Sequence, residues 1–225
     1  MRWTSLAIAF LTLWLGVARV EATVVQFDTS LGSFGVTLFD AEAPITVANF
    51  LNYAVECSTA CTYDNTIVHR SVPGFVIQGG GFRPDRTNVA AGAPIVNEFG
   101  HSNTRGTIAM AKLGGRPNSA TNQWFINLVD NSLNLDVQNG GFTVFGEVDS
   151  GMEVVDNIAK LSIVNLSSIH PAWGSVPVLD PTLKMPELAA DANLFRIHAI
   201  RVVPEPSTML LLLGGSLIFA RRRSR

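Results

Sequence analysis

The chain has 225 residues, 47% of them apolar and 15% charged, enough apolar material for one sizeable core and unlike a disordered or collagen-like chain. The net charge of −2 hides an uneven layout: six of the 16 basic residues are Arg2, Arg19, Arg221, Arg222, Arg223 and Arg225, leaving residues 23–206 with 10 basic against 17 acidic groups. A body of that sign repels phosphate, which argues against nucleic acid as a partner. At the N-terminus, one arginine precedes an apolar run over residues 6–17 and then small residues. This is the layout of a secretory leader, with the cut placed after Ala22 by Val20-Glu21-Ala22, or after Ala18 as second choice. A retained anchor helix is the alternative, but the run falls short of the ~20 residues a span needs.

Residues 23–203 read as one domain. VVQFDTS and FGVTLFD alternate in polarity around a turn at Leu31-Gly32-Ser33, which predicts an opening hairpin. Ala43-Pro44 then starts a helix whose apolar stripe is Val47, Phe50, Leu51 and Ala54. Cys57 and Cys61 lie in a short polar loop. In an oxidising compartment they can bridge if the turn brings them together; free thiols and, less readily, a metal are the alternatives.

TIVHRSV, FVIQGG, GTIAMAK, TNQWFINLV and FTVFGEV follow as short strand-like runs between Gly, Pro, Asn and Asp clusters. A second helix is expected from Ser150, with Ser150 and Glu153 as a capping box and Met152, Val155, Ile158 and Ala159 as its stripe. Residues 161–194 hold four prolines and no sustained period, so they read as an extended loop before a last strand at 195–203. About eight short strands and two helices predict a mostly β protein: a closed antiparallel barrel capped by two helices, with open sheet packing as the alternative.

The last 22 residues, 204–225, combine Pro204-Glu205-Pro206, an uncharged run over 207–220 and Arg221-Arg222-Arg223. As a helix that run would reach roughly 21 Å against a hydrocarbon core of about 30 Å, a short and transient membrane contact. The basic cluster would stay cytoplasmic and leave the body outside. This order resembles the PEP-CTERM sorting signal of Gram-negative bacteria, which implies export, removal of the leader by signal peptidase and handling by an exosortase. The expected destination is the periplasm, cell surface or extracellular matrix. An ordinary tail anchor is the alternative.

Phosphate loops, zinc-spaced histidines and nucleophile elbows are missing from the sequence; the glycines at 79–81 have no lysine at the spacing of a phosphate cradle. Alternation instead sets Gln123, Phe125 and Asn127 on one strand face, and Asn122, Trp124 and Ile126 on the other. If Trp124 and Ile126 fill the core, Phe125 faces outward beside Gln123, and Val76 and Gln78 likewise share a face. That pattern suits a shallow apolar pocket with an amide rim, or simply core phenylalanines beside a solvated face.

NTIVHRSVPGFVIQGGGF, RGTIAMA, TNQWFINL and GGFTVFGEV, in this order, resemble the cyclophilin peptidyl-prolyl isomerases from about Val24 to Ile158, with the strand at 195–203 completing the likeness. The resemblance implies an eight-stranded barrel with two helices, isomerisation of X–Pro bonds in exported polypeptides, no cofactor or metal, and a monomer. It implies Arg70 as the catalytic arginine, Phe75, Val76, Phe125 and Leu135 as the proline pocket, and Gln78 and Gln123 as its rim. Ala111 and Lys112 match the segment that binds substrate chiefly through its main chain, with lysine in place of the familiar asparagine. Phe142 stands where eukaryotic members have histidine and keeps the pocket wall; no tryptophan stands near Asn134, which puts cyclosporin sensitivity in doubt. His69 is expected to be structural, since the rotation needs no proton transfer. A non-catalytic proline-peptide-binding module is the competing reading.

Overall fold

The computed structural model describes residues 22–56 and 62–204; the leader through Glu21, the Cys57 and Cys61 pair and the tail from Glu205 lie outside the described residues. In β1 (Val24–Thr29) and β2 (Gly32–Leu38), Val25, Phe27, Phe34, Val36 and Leu38 are buried while Gln26 and Ser33 are exposed, the period of a sheet with one covered face. The chain reverses at Ser30 and Leu31, slightly earlier than expected, because Gly32, at φ 117°, already pairs with Thr29. Phe27 and Phe34 face each other across this register and stack at 4.6 Å, and Trp124 meets Phe27 edge-on at 5.4 Å.

α1 (Pro44–Leu51) begins on the expected proline and widens into a π-helical turn over Asn52–Glu56. Val47, Phe50 and Ala54 are buried as the stripe predicts, and the wider turn brings Tyr53 inward as well. No neighbouring side chain caps this helix. Glu98 does so from a distant loop, accepting from the N–H groups of Ile45 at 3.1 Å and Thr46 at 2.7 Å.

The main sheet adds β3 (Thr66–Ile67), β4 (Arg70–Val72), β5 (Val76–Gly79), β6 (Thr107–Met110), β7 (Trp124–Asn127), β8 (Val144–Ser150) and, after the hairpin of β9 (Ser162–Val164) and β10 (Val176–Val178), β11 (Arg196–Val202). Its nine strands are antiparallel and curl around the core in the order β3-β11-β1-β2-β8-β6-β7-β5-β4. The ladder is therefore open and nine-stranded, where eight strands closed on themselves were expected. The cause is local. TIVHRSV breaks at Val68 and His69, and its first part pairs with β11 while its second pairs with β5.

Two short helices complete the architecture: α2 (Ser132–Leu135), a single turn, and α3 (Met152–Ala159), which buries Val154, Val155 and Ile158. The expected capping box on α3 does not form. Gly151 takes the cap position at φ 74°, where a Cβ would lie 2.7 Å from the Ser33 carbonyl oxygen, and the Ser150 hydroxyl donates to Asp149 instead.

Residues 161–194 are more than an extended loop. The β9/β10 hairpin, two 3₁₀ turns at Glu187–Ala189 and Asp191–Asn193, and a second apolar cluster around Trp173 order them. That cluster includes Ile67 and Phe82 of the main body, and the Ser71 N–H donates to the Ser175 carbonyl at 2.8 Å, so this lobe covers the outer edge of β4. Among the described residues no helix is long and apolar enough to cross a membrane.

Candidate active site on the outer face of the sheet

Register places the site. Arg70 of β4 lies opposite Gln78 of β5, Gln78 opposite Phe125 of β7, Phe125 opposite Ala109 of β6, and Ala109 opposite Val144 of β8. Pleating sends this whole row to one face, while Ile77, Trp124, Ile126 and Phe145 at adjacent positions fill the main core on the other. Phe125 thus points away from the main core and is still only 4% exposed, because Val76, Leu135 and Val144 surround it and Phe75 and Phe142 pack against the cluster. Both sequence readings of Phe125 hold in part: it is buried, and it is the floor of a separate apolar patch.

Above that floor is a cavity of about 240 Å³. Arg70, Phe75, Val76, Gln78, Ala111, Lys112, Phe125, Leu135 and Phe142 all line it, and Gln138 joins them. Gln123 stands next door, in the wall of an adjoining cleft of about 550 Å³. The glycine run explains how the strands approach so closely. A Cβ on Gly80 would lie 2.5 Å from the Asn122 carbonyl oxygen, and one on Gly81 would lie 2.7 Å from the Gln123 amide nitrogen, so larger residues would displace the rim.

The polar edge is a short chain of hydrogen bonds. Gln78 Nε2 donates to Gln123 Oε1 at 2.9 Å, and Arg70 Nη1 donates to Gln78 Oε1 at a long 3.4 Å, with the guanidinium 5.8 Å from the Phe75 ring centre. Partial burial lowers the Arg70 pKa, yet arginine remains protonated at any physiological pH. The Lys112 ammonium donates to Asn97 Oδ1 and the Asn139 carbonyl, each at 3.0 Å, and to the Gly141 carbonyl. It also lies 4.8 Å from the Phe142 ring centre, so it ties down the loop carrying that wall. Burial brings its pKa down to about 8.

A buried amide network fixes the remaining walls. Asn131 Nδ2 donates to the Phe75 carbonyl at 3.0 Å and to Asn127 Oδ1 at 2.8 Å; Asn127 Nδ2 donates to Thr107 Oγ1 at 2.9 Å and to Asn103 Oδ1 at 3.2 Å. Asn103 Nδ2 in turn donates to the Phe142 carbonyl at 3.1 Å. Strand alternation marks Asn127 as sharing the Phe125 face, but Asn103, Asn131 and Gln138 lie in loops or turns without a periodic signal. His69 is buried behind β4 against Phe82, at 4.7 Å, on the side of the second cluster. Desolvation, with Arg70 and His170 nearby, lowers its pKa to about 3, so it is neutral.

The family model of the cyclophilin type peptidyl-prolyl cis-trans isomerase/CLD matches residues 24–175, and that of the PEP-CTERM protein-sorting motif matches residues 202–225. Over 141 residues the chain is 49% identical to peptidyl-prolyl cis-trans isomerase B of Escherichia coli (strain K12), covering 60% of this chain and 83% of that protein. It is 43% identical over 152 residues to a peptidyl-prolyl cis-trans isomerase of Acinetobacter baylyi, covering 66% and 78% respectively. In fold it is similar to the crystal structure of a cyclophilin type isomerase of Cryptosporidium parvum, with a TM-score of 0.60, 22% identity, and coverage of 82% of this chain and 99% of that one.

Proposed function

This chain belongs to the cyclophilin type peptidyl-prolyl cis-trans isomerases, and we propose that Arg70 is the group through which it accelerates rotation about X–Pro bonds. Rotation makes and breaks no covalent bond; the obstacle is amide resonance, a barrier of ~18 to 20 kcal/mol that leaves spontaneous exchange at tens to hundreds of seconds. As the bond twists, the prolyl nitrogen regains its lone pair and becomes a hydrogen-bond acceptor. A donor placed there stabilises the twisted state and not the planar one. The Arg70 guanidinium borders the cavity, stays charged and makes only a long bond to Gln78 among the described residues, so its remaining N–H groups are free for this role.

In this reading the proline ring rests on Phe125 between Val76, Leu135 and Phe142, with Phe75 beside it. Gln78 and Gln123 hold the flanking carbonyl, and the Ala111 main chain meets the neighbouring residue. Lys112 acts on substrate through the Phe142 wall. Lowering the barrier by ~6 kcal/mol would speed exchange about four orders of magnitude. The arrangement calls for no cofactor or metal, and the protein works as a monomer on proline-containing polypeptides.

The sorting motif supports an exported protein of a Gram-negative cell. Signal peptidase would cut after Ala22, an exosortase would process the tail near Pro204, and the short apolar segment would hold the membrane only in transit. Cys57 and Cys61 would be bridged outside the cytoplasm. Closure of the barrel is part of the same proposal: counting residues 66–72 as one strand, its two parts join β11 to β5, and the Ile67 N–H donates to the Phe82 carbonyl at 3.0 Å along that seam.

The single observation that carries the catalytic assignment is the half-buried Arg70 at the mouth of an apolar cavity floored by Phe125. NMR exchange spectroscopy on an Ala-Pro tetrapeptide with the mature protein tests it, with accelerated exchange as the expected result. Binding without acceleration would make the protein a proline-peptide-binding module instead.

A further inference from the structure

The groove extends beyond the proline cavity. Gln78, Ala111 and Lys112 belong to both clefts, and the second continues past Arg116, Asn118 and Gln123. Neither wall contains an acidic residue, and Arg70, Lys112 and Arg116 have no carboxylate within salt-bridge distance among the described residues. In a body with 10 basic and 17 acidic groups, positive charge is thus gathered where an extended chain would lie.

We propose that this groove, taken as the isomerase site argued above, selects acidic X–Pro segments, and that one of them is the Pro204-Glu205-Pro206 segment of this protein's own tail, presented by a second copy before that tail is processed. The tail contains two rotatable prolyl bonds, Val203–Pro204 and Glu205–Pro206, with one carboxylate between them. Because Glu205 adjoins both prolines, either chain direction in the groove can set it at the Ala111 and Lys112 boundary with the other proline beyond. One direction uses Pro206 in the cavity and the reverse uses Pro204.

A chain cannot serve itself. β11 is antiparallel to β3, with Arg196 opposite Ile67 and Ile197 opposite Thr66, so β11 runs toward Val203 in the direction opposite to that from Ile67 to Arg70. At about 3.3 Å per residue, Val203 and Arg70 are roughly 30 Å apart along the strands, whereas the chain from Val203 to Pro206 reaches only about 10 Å. The encounter is therefore between two molecules. A carboxylate about 7 Å from one solvated cation gains roughly threefold in association, and replacing it with a cation loses a similar factor again.

The test compares three peptides by NMR exchange with the mature protein: residues 202–208, the same peptide with Glu205→Lys, and a neutral Ala-Ala-Pro peptide. The native sequence should be turned over roughly five- to tenfold more efficiently than the lysine analogue at low ionic strength, and the ratio should collapse toward one in about 0.5 M salt. Arg116 is exposed in a turn, so Arg116→Glu should fold, and it should cut the ratio by roughly threefold or more while Arg116→Lys retains it. Equal turnover of the two tail peptides, with the neutral peptide still accelerated, overturns the acidic selection and leaves the isomerase standing. Acceleration of none of the three overturns the isomerase reading and this proposal together.

Discussion

Arg70→Ala separates transition-state stabilisation from substrate grip. The floor and walls made by Phe125, Val76 and Leu135 are untouched by it, and Gln78 keeps its 2.9 Å bond to Gln123 after losing the 3.4 Å contact with the arginine. The structural loss is one weak hydrogen bond and a cation over Phe75 at 5.8 Å, together about 1 kcal/mol or less at a half-exposed site. The catalytic loss is a charge-assisted hydrogen bond made chiefly in the twisted state, worth roughly 1.5 to 3 kcal/mol, which is about ten- to hundredfold in kcat/KM. Peptide affinity, read from NMR shift titration on the same samples, should change by less than about threefold because burial of the ring dominates it. Phe125→Ala is the contrasting variant and should lower affinity and rate together. A folded Arg70→Ala protein with wild-type exchange would refute the assignment, and an affinity loss as large as the rate loss would show that Arg70 grips the planar peptide instead.

Asn131→Ala takes the donor from the buried Asn127 Oδ1 and leaves the Phe75 carbonyl with the Leu128 N–H alone, so chemical denaturation should show about 1 to 3 kcal/mol less stability, with weaker peptide binding as the Phe75 wall loosens; unchanged stability and affinity would contradict the network's role. Lys112 loses its proton as pH rises through about 8, weakening its hold on the Asn139 and Gly141 carbonyls and on Phe142, so kcat/KM should decline between about pH 7 and 9. Lys112→Met should begin lower and show no such decline, whereas a flat wild-type profile through pH 9 would refute this positioning role. His69 is neutral in the folded protein down to about pH 3, while its unfolded value is near 6.5. Its contribution to stability is complete above about pH 6.5 and lost progressively as pH falls toward 3, so His69→Phe should flatten that part of the stability profile measured by urea denaturation.

Local sequence already carried the parts of the fold that depend on period and on single-residue geometry. Alternation in TNQWFINL separates Trp124 from Phe125 because a pleated strand has no other option, and the proline at 44 begins α1 where its fixed φ belongs. HRSVPGFVIQGG and NQWFINL hold five of the ten residues around the 240 Å³ cavity, and the family likeness elsewhere in the chain named Ala111, Lys112, Leu135 and Phe142, but Gln138 sits on an aperiodic turn and offered no such mark. Tertiary structure decided what is joined across long stretches of chain. Glu98 caps α1, Asn131 holds the Phe75 carbonyl, and residues 161–194 build a second apolar cluster on Ile67 and Phe82. The break at Val68 and His69 became visible only through its partners: β11 takes one side and β5 the other, so one extended run supplies both ends of an open ladder. Periodicity reports which way a side chain faces relative to its own neighbours; which distant donor, acceptor or strand edge it meets is set by chain reversals in loops, where no period constrains the sequence.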